Sequence, residues 1–118
     1  MTSDHPIRIE PNHNRVRVRL GDKTIADTVK ARTLFEASYP GVQYVPRADV
    51  DMSLLTRTTH KTRCPYKGEA AYYTIDAGGR RAENAVWTYE TPFPEVADIA
   101  SYLAFYPNRV EITEERAS

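Results

Sequence analysis

The stretch Arg15-Val16-Arg17-Val18-Arg19-Leu20 alternates arginine with an apolar residue along its whole length. A period of two is typical of a β-strand with one buried face, because successive side chains of a strand point to opposite sides. Gly21-Asp22 interrupts the alternation, and Ile25 and Ala26 resume it. The pattern therefore predicts a β-hairpin over residues 15–28. We interpret the arginines as its solvated face, and an anion-binding ladder is the less frequent alternative.

Similar signals recur along the rest of the chain. Strand candidates with turn residues between them are residues 42–45, 56–63, 70–75, 83–89, 102–106 and 109–113. Residues 33–37 fit either a strand or a short helical turn, and helical turns are predicted near residues 48–55 and 95–101. The sequence thus predicts a mainly β fold with short helical turns.

Length and composition favour one compact domain. The chain has 118 residues, of which 41% are hydrophobic and 27% charged, as in ordinary globular proteins. We expect one domain over residues 1–118, with a core at about residues 15–113 and frayed ends. Sixteen basic residues balance sixteen acidic ones, so the overall charge gives no attraction to nucleic acid or anionic lipid. We therefore expect no nucleic-acid and no membrane partner.

Cysteine usage limits disulfide and metal chemistry. Cys64 is the one cysteine, which excludes an intrachain disulfide and a two-cysteine zinc site. Asp49 and Asp51 could share a cation, but a solvated pair or a helix cap is the more frequent arrangement. We predict no structural metal and no cofactor. Residues 1–5 lack signal-peptide features and no apolar run reaches the roughly 18 residues of a membrane span, so we expect a cytoplasmic protein.

Reactive side chains are concentrated between His60 and Tyr73. This segment, HKTRCPYKGEAAYY, contains a histidine, several cations, a thiol, a carboxylate and three phenols. Pro65 and Gly68 predict an irregular backbone, which could present Lys67 toward a pocket beside exposed backbone N–H groups.

The catalytic candidates are Cys64, Lys67 and Glu69, and whether the chain is an enzyme is left open. Cys64 becomes a nucleophile only where a neighbouring cation lowers its pKa. A buried small residue at a strand end is the more frequent role of a lone cysteine. Lys67-Gly68 does not lie in a P-loop, because the Gly-x-x-x-x-Gly-Lys-Ser/Thr order is absent.

A ligand site is predicted around the same segment. Its candidate residues are His60, Arg63, Lys67, Tyr72, Trp87 and Tyr89. The cations would neutralise an anionic group, and the aromatic rings would flank a planar part of the ligand. Core packing is the more frequent role of any one aromatic ring.

Three motifs together resemble a known family. They are Cys64-Pro65-Tyr66-Lys67-Gly68-Glu69-Ala70-x-Tyr72, Ala85-Val86-Trp87-Thr88-Tyr89 and Ile99-Ala100-Ser101-Tyr102-Leu103-Ala104-Phe105-Tyr106. The chain resembles the family catalogued as domain of unknown function 427 from about Arg15 to Ile112, and this resemblance also covers Glu36, Tyr39-Pro40, Tyr44, Pro46 and Asp49.

The resemblance implies a compact antiparallel two-sheet β domain, tent-like or sandwich-like, with one or two short helical turns. The family has also been filed under a nucleotidyltransferase-like label. This chain has neither the Gly-Ser turn nor the acid triad of such an enzyme. Ser101 stands where a glycine is common.

The predicted function is the binding of a small anionic or planar ligand in a pocket built around the Cys-Pro-Tyr-Lys-Gly motif. The alternative is a non-catalytic interaction or structural domain, for which a homodimer is one arrangement. Nucleic-acid binding is disfavoured by the zero net charge.

Overall fold

The computed structural model describes residues 6–116, and the part of the chain described is mainly β. The strands are β1 (Ile7–Asn12), β2 (Arg15–Leu20), β3 (Lys23–Thr28), β4 (Ala31–Glu36), β5 (Val42–Tyr44), β6 (Leu55–Cys64), β7 (Gly68–Ala77), β8 (Arg80–Thr88), β9 (Leu103–Phe105) and β10 (Glu111–Glu115). Short 3₁₀ helices lie at Arg47–Asp49, Met52–Leu54 and Pro94–Ile99. The predicted mainly β architecture is confirmed.

The predicted hairpin is formed by β2 and β3, with Gly21 at φ 63° in the turn. Val16 and Val18 are buried, as the alternation requires. On the other face, Arg15 donates two hydrogen bonds to the Asp27 carboxylate, of 2.9 and 2.7 Å. The arginine face is therefore partly neutralised by the neighbouring strand.

The strands form three antiparallel sheets within the described residues, which corrects the predicted count of two. Their strand orders are β1-β4-β5, β10-β2-β3 and β6-β7-β8-β9. A single bridge joins the first sheet to the third, where Val45 and Leu103 exchange backbone hydrogen bonds of 2.8 and 2.9 Å. Pairing of such short, distant segments leaves no local sequence pattern, so the sheet count could not be derived from spacing.

Strand β7 is buried on both faces. Every residue from Ala70 to Ile75 is buried, so this stretch lacks the alternation of a half-exposed strand. Tyr73 and Ile75 pack in one apolar cluster with Val18 of β2. Tyr72 packs in a second cluster, with residues of β1, β4 and β5. The sheet that carries the motif segment is therefore covered by another sheet on each side.

Residues 7–12 and 114–115 lie in strands, although the sequence placed them outside the predicted core. Strand β1 precedes the predicted core and pairs with β4 over Ile7–Asn12. The short alternation of Ile7 and Ile9 with charged residues was the signal for it. Glu114 and Glu115, expected to fray, pair with β2. The predicted frayed residues 1–5 and 117–118 lie outside the described residues.

Residues 33–37, which fitted strand or helix, belong mostly to β4, and the predicted helical turns are the 3₁₀ helices. None of the helices in residues 6–116 has the length and apolar composition needed to cross a bilayer.

Candidate functional site

Two β-bulges flank the middle of β7. The register between β6 and β7 jumps from Arg57↔Tyr73 to Lys61↔Ala71, so residues 58–60 lie opposite Tyr72 alone. On the other side of β7, residues 83–85 of β8 lie opposite a single residue in the same way. Bulges bend a strand and redirect its side chains. The sheet is therefore irregular on both sides of the middle of β7.

The bulges are fixed by side-chain hydrogen bonds. The Thr58 hydroxyl donates to the Asn84 side-chain oxygen at 2.7 Å, which links β6 to β8 across β7. The His60 N–H donates to Thr58 at 3.2 Å, and the Asn84 N–H donates to the Thr74 hydroxyl at 3.1 Å. Asn84 has φ 50°, a left-handed conformation that asparagine tolerates better than most residues. The irregular backbone is thus held in one conformation.

Two adjoining depressions open at the bulges, and both are lined by His60, Glu83 and Asn84. We call them together the His60 groove. Its polar lobe, of about 610 Å³, is also lined by Thr58, Thr59, Lys61, Thr74 and Arg81. Its aromatic lobe, of about 400 Å³, is also lined by Tyr72, Tyr106, Asn108 and Arg109.

Linked side chains form the wall of the aromatic lobe. The Tyr72 hydroxyl lies 2.8 Å from the Thr62 hydroxyl and 3.3 Å from the Tyr106 hydroxyl. The His60 ring meets Tyr72 edge-on, with 4.5 Å between centroids. Burial, followed by the hydrogen bond to Tyr72, raises the pKa of Tyr106 to about 12. The Tyr106 phenol therefore stays neutral at physiological pH and can donate a hydrogen bond.

Trp87 continues this wall inward. Its ring packs against Tyr106 at 4.5 Å, and its Nε1–H donates to the Tyr44 hydroxyl at 3.2 Å. Burial is the main cause that raises the pKa of Tyr44, which keeps this phenol protonated. The indole is therefore oriented by a buried partner.

Lys67 lies inside the protein and forms an ion pair with Glu36 of β4. Their side chains are 9% and 22% exposed, and the Lys67 Nζ is 2.5 Å from the Glu36 Oε1. The turn that buries Lys67 requires Gly68, whose φ of 117° is strained for any residue with a side chain. The pair connects the motif to the β1-β4-β5 sheet.

The other motif residues fall into two groups. Cys64 is half-buried against the second cluster, in which Tyr89 is buried with its pKa raised chiefly by that burial. Arg63 and Glu69 are exposed and paired across β6 and β7, and Glu69 also lies 4.0 Å from the Lys61 Nζ.

Of the predicted site residues, His60, Tyr72 and Trp87 are thus brought together in one connected wall. Lys67 and Tyr89 lie in the interior, Cys64 is half-buried, and Arg63 and Glu69 lie on the surface. The direct contact of Lys67 and Arg63 with an anion stays a prediction.

Several groove residues carried no sequence signal. Asn84 and Arg109 belong to no motif, and only the register brings Asn84 next to His60. Tyr106 ended a quoted family motif but had no assigned role. Glu36 and Tyr44 were covered by the resemblance, although spacing alone could not place either beside its partner.

The aspartate pair has structural roles. The Asp51 side chain accepts hydrogen bonds from the backbone N–H and hydroxyl of Ser53 and begins a 3₁₀ helix, so the helix-cap interpretation is confirmed for Asp51. Asp49 accepts the Thr28 hydroxyl at 2.7 Å. Over residues 6–116, no three His, Cys, Asp or Glu side chains are grouped as metal ligands.

The described residues thus form a layered antiparallel β domain that has a polar and aromatic groove and, separately, a mostly buried Lys–Glu ion pair. Comparison with family models matches residues 8–116 to NTP_transf_9, described as domain of unknown function (DUF427). The chain belongs to this family, as its motifs indicated. No curated protein matches the chain.

Proposed function

We propose that this domain binds a small molecule with a planar part and an anionic group, in the His60 groove beside the Cys-Pro-Tyr-Lys-Gly motif. The observation that carries the proposal is the pair of facing bulges, because they open two chemically different lobes around one histidine. Tyr72 of the extended motif lines the groove. Lys67 of the same motif holds the segment to β4 through its ion pair with Glu36.

The aromatic lobe suits the planar part of the ligand. Tyr106 provides ring surface, the buried Tyr72 lines the lobe behind it, and His60 lies at the junction of the lobes. Aromatic rings interact at centroid distances of about 4.5–7 Å, a geometry that a ligand ring can join. Trp87 packs against the Tyr106 ring and so restricts the movement of that ring.

The polar lobe suits the anionic group. Lys61 and Arg81 line it together with threonine side chains. Their ion pairs are long, 4.0 Å from Lys61 to Glu69 and 3.4 Å from Arg81 to Asp76, and all four side chains are more than half exposed. Exposed pairs of this kind contribute roughly 0–1 kcal/mol, so both cations can turn to a ligand at little cost. Arg63, two residues from Lys61 on the same face of β6, adds positive potential.

A thermal-shift screen tests the proposal. Wild type would be screened against nucleotides, sugar phosphates, small organic acids and divalent metals, with phenyl phosphate as the minimal planar anion. A ligand bound only to the native state raises the melting temperature. We expect a shift with a planar anion in wild type and in the control His13→Ala, and its loss in His60→Ala. A screen without any shift, or equal shifts in the two histidine variants, would overturn the proposal.

Lys67→Ala is a poor variant for that screen. It removes the buried partner of Glu36, so its melting temperature should fall whether or not a ligand binds. His60 is exposed, and its truncation therefore perturbs the groove more than the fold.

A second candidate is an interaction domain that associates through β6. The favouring observation is that β6, ten residues long, is an edge strand of its sheet among the strands described. Arg57, Lys61 and Arg63 are cationic, so pairing two copies of β6 would bring like charges together. We therefore expect a monomer in light scattering. A dimer that forms with rising concentration and ignores every ligand would favour this candidate.

We also propose that the chain forms one domain and works in the cytoplasm. Cys64 is a free thiol, and a reducing compartment keeps such thiols reduced. A single cooperative urea transition and recovery in the cytoplasmic fraction of cells would support both statements. Two separate transitions, or recovery in a membrane or secreted fraction, would contradict the statement concerned.

A further inference from the structure

A separate cavity lies where residues of all three sheets come together, and Trp87 is part of its lining. It has a volume of about 290 Å³, and its apolar lining includes Trp87, Phe105, Ile112 and Val42. These residues come from β8, β9, β10 and β5, so each sheet contributes to the wall. Ligand pockets measure roughly 300–1,000 Å³ and are lined mainly by apolar side chains, so this one suits a small ligand.

One carboxylate, that of Glu114 on β10, lines the same cavity. Its Oε2 accepts hydrogen bonds from the side-chain amides of Asn12 and Asn14, at 3.0 and 2.8 Å. Both donors are neutral, so they orient the carboxylate without cancelling its charge. An apolar cavity with one oriented anion at its rim favours an organic cation.

The arginines of β2 do not share this face. Ile112 and Glu114 are paired across the strands with the buried residues Val18 and Val16. Residues directly opposite in an antiparallel pair lie on the same face of the sheet, so Ile112 and Glu114 lie on the inner face. Arg15 and Arg17 alternate with these valines and lie on the outer face. Their charges are therefore directed away from the cavity.

We propose that this cavity, the Trp87 pocket, binds a small organic cation whose apolar part is an aromatic ring. The ring would pack against Trp87 and Phe105, and the ammonium group would face Glu114. This inference does not depend on the proposed function, because it uses another cavity and the opposite ligand charge.

Fluorescence offers a direct test, since Trp87 is the one tryptophan of the chain. Benzylamine, benzyl alcohol and benzoate share one ring and differ in charge. We expect saturable changes in emission with benzylamine, weaker ones with benzyl alcohol and weakest with benzoate. Free tryptophanamide controls for collisional quenching, which does not saturate.

Two matched variants test whether the charge of Glu114 contributes to binding. Glu114→Gln keeps an oxygen for the two asparagines but removes the charge, and it should weaken benzylamine binding about two- to fivefold, as expected for a partly exposed ion pair. Glu115→Gln, on the outer face, should bind like wild type. An unsaturable response, equal binding of benzylamine and benzyl alcohol, or equal effects of the two variants would overturn the inference.

His60→Ala separates this site from the groove. It should bind benzylamine like wild type, while Glu114→Gln should keep any response to phenyl phosphate. Loss of benzylamine binding in His60→Ala would contradict the inference, because it would place the cation in the groove.

Discussion

Replacing Lys67 with methionine should destabilise the fold strongly, because it removes the charge that balances a mostly buried carboxylate. Lys67 is 9% exposed and Glu36 22%, with 2.5 Å between Nζ and Oε1. Removing one partner of a fully buried pair costs about 3–5 kcal/mol. Since Glu36 keeps some contact with water, we expect a loss of about 2–4 kcal/mol. This loss is a large part of the free energy of unfolding of a typical domain, which is about 5–15 kcal/mol.

The assay is urea unfolding followed by Trp87 fluorescence. With a urea dependence of about 1–3 kcal/mol per molar, the expected loss should lower the unfolding midpoint by roughly 1–2 M. The double variant Lys67→Met with Glu36→Gln should recover about 1 kcal/mol or more, because a neutral amide is less costly than a carboxylate at a mostly buried position that has lost its lysine.

The matched control is Lys61→Met, which breaks an exposed pair of 4.0 Å whose side chains are 59% and 62% exposed. We expect it to change stability by less than about 0.5 kcal/mol. Equal effects of Lys61→Met and Lys67→Met, or a double variant less stable than Lys67→Met alone, would refute the reasoning.

Three further predictions concern stability. The hydrogen bond from Arg15 lowers the pKa of Asp27, so this carboxylate contributes stability above its unfolded pKa of about 3.9 that is lost as the pH falls. Asp27→Asn should therefore lose less stability than wild type between pH 7 and acid in urea titrations, and an equal loss would contradict this. The pKa of Tyr106 is raised to about 12, above the unfolded value of about 10. The neutral phenol therefore contributes its full stabilisation of the fold below about pH 10, and this stabilisation is lost as the pH rises toward 12. Tyr106→Phe should flatten this alkaline loss, and an unchanged slope would refute the assignment. Asn84→Ala should cost about 1–2 kcal/mol, because alanine is strained at φ 50° and the bond from Thr58 is lost. Asn84→Gly, which relieves the backbone strain, should cost less, and the reverse order in urea unfolding would count against this role.

Local patterns predicted much of the fold. The alternation of residues 15–20 defined the first hairpin, and Asp51 begins a helical turn as a capping residue. Both depend on neighbours in sequence, where period and side-chain chemistry decide the structure. Ile7 and Ile9 also alternate with charged residues, so β1 has a local signal although it lies outside the core predicted at residues 15–113.

Distant pairings could not be predicted in the same way. Glu36 meets Lys67 and Tyr44 meets Trp87 only after the β1-β4-β5 sheet packs against the β6-β7-β8-β9 sheet, and no spacing encodes either contact. The bulges that bring Asn84 next to His60 are shifts of register, which depend on the neighbouring strands. The sequence therefore marks the motif segment as unusual, but it does not predict how the segment divides between an inner pair and an outer groove.

The most direct test of the central claim is an NMR titration of the ¹⁵N-labelled protein with phenyl phosphate. The account predicts saturable shifts of the amide signals of residues 58–61 and 83–85, together with Tyr106 and Arg109, all at the His60 groove. Saturable shifts confined to another surface, or no shift of the bulge amides at any concentration, would contradict the claim that this groove is the binding site.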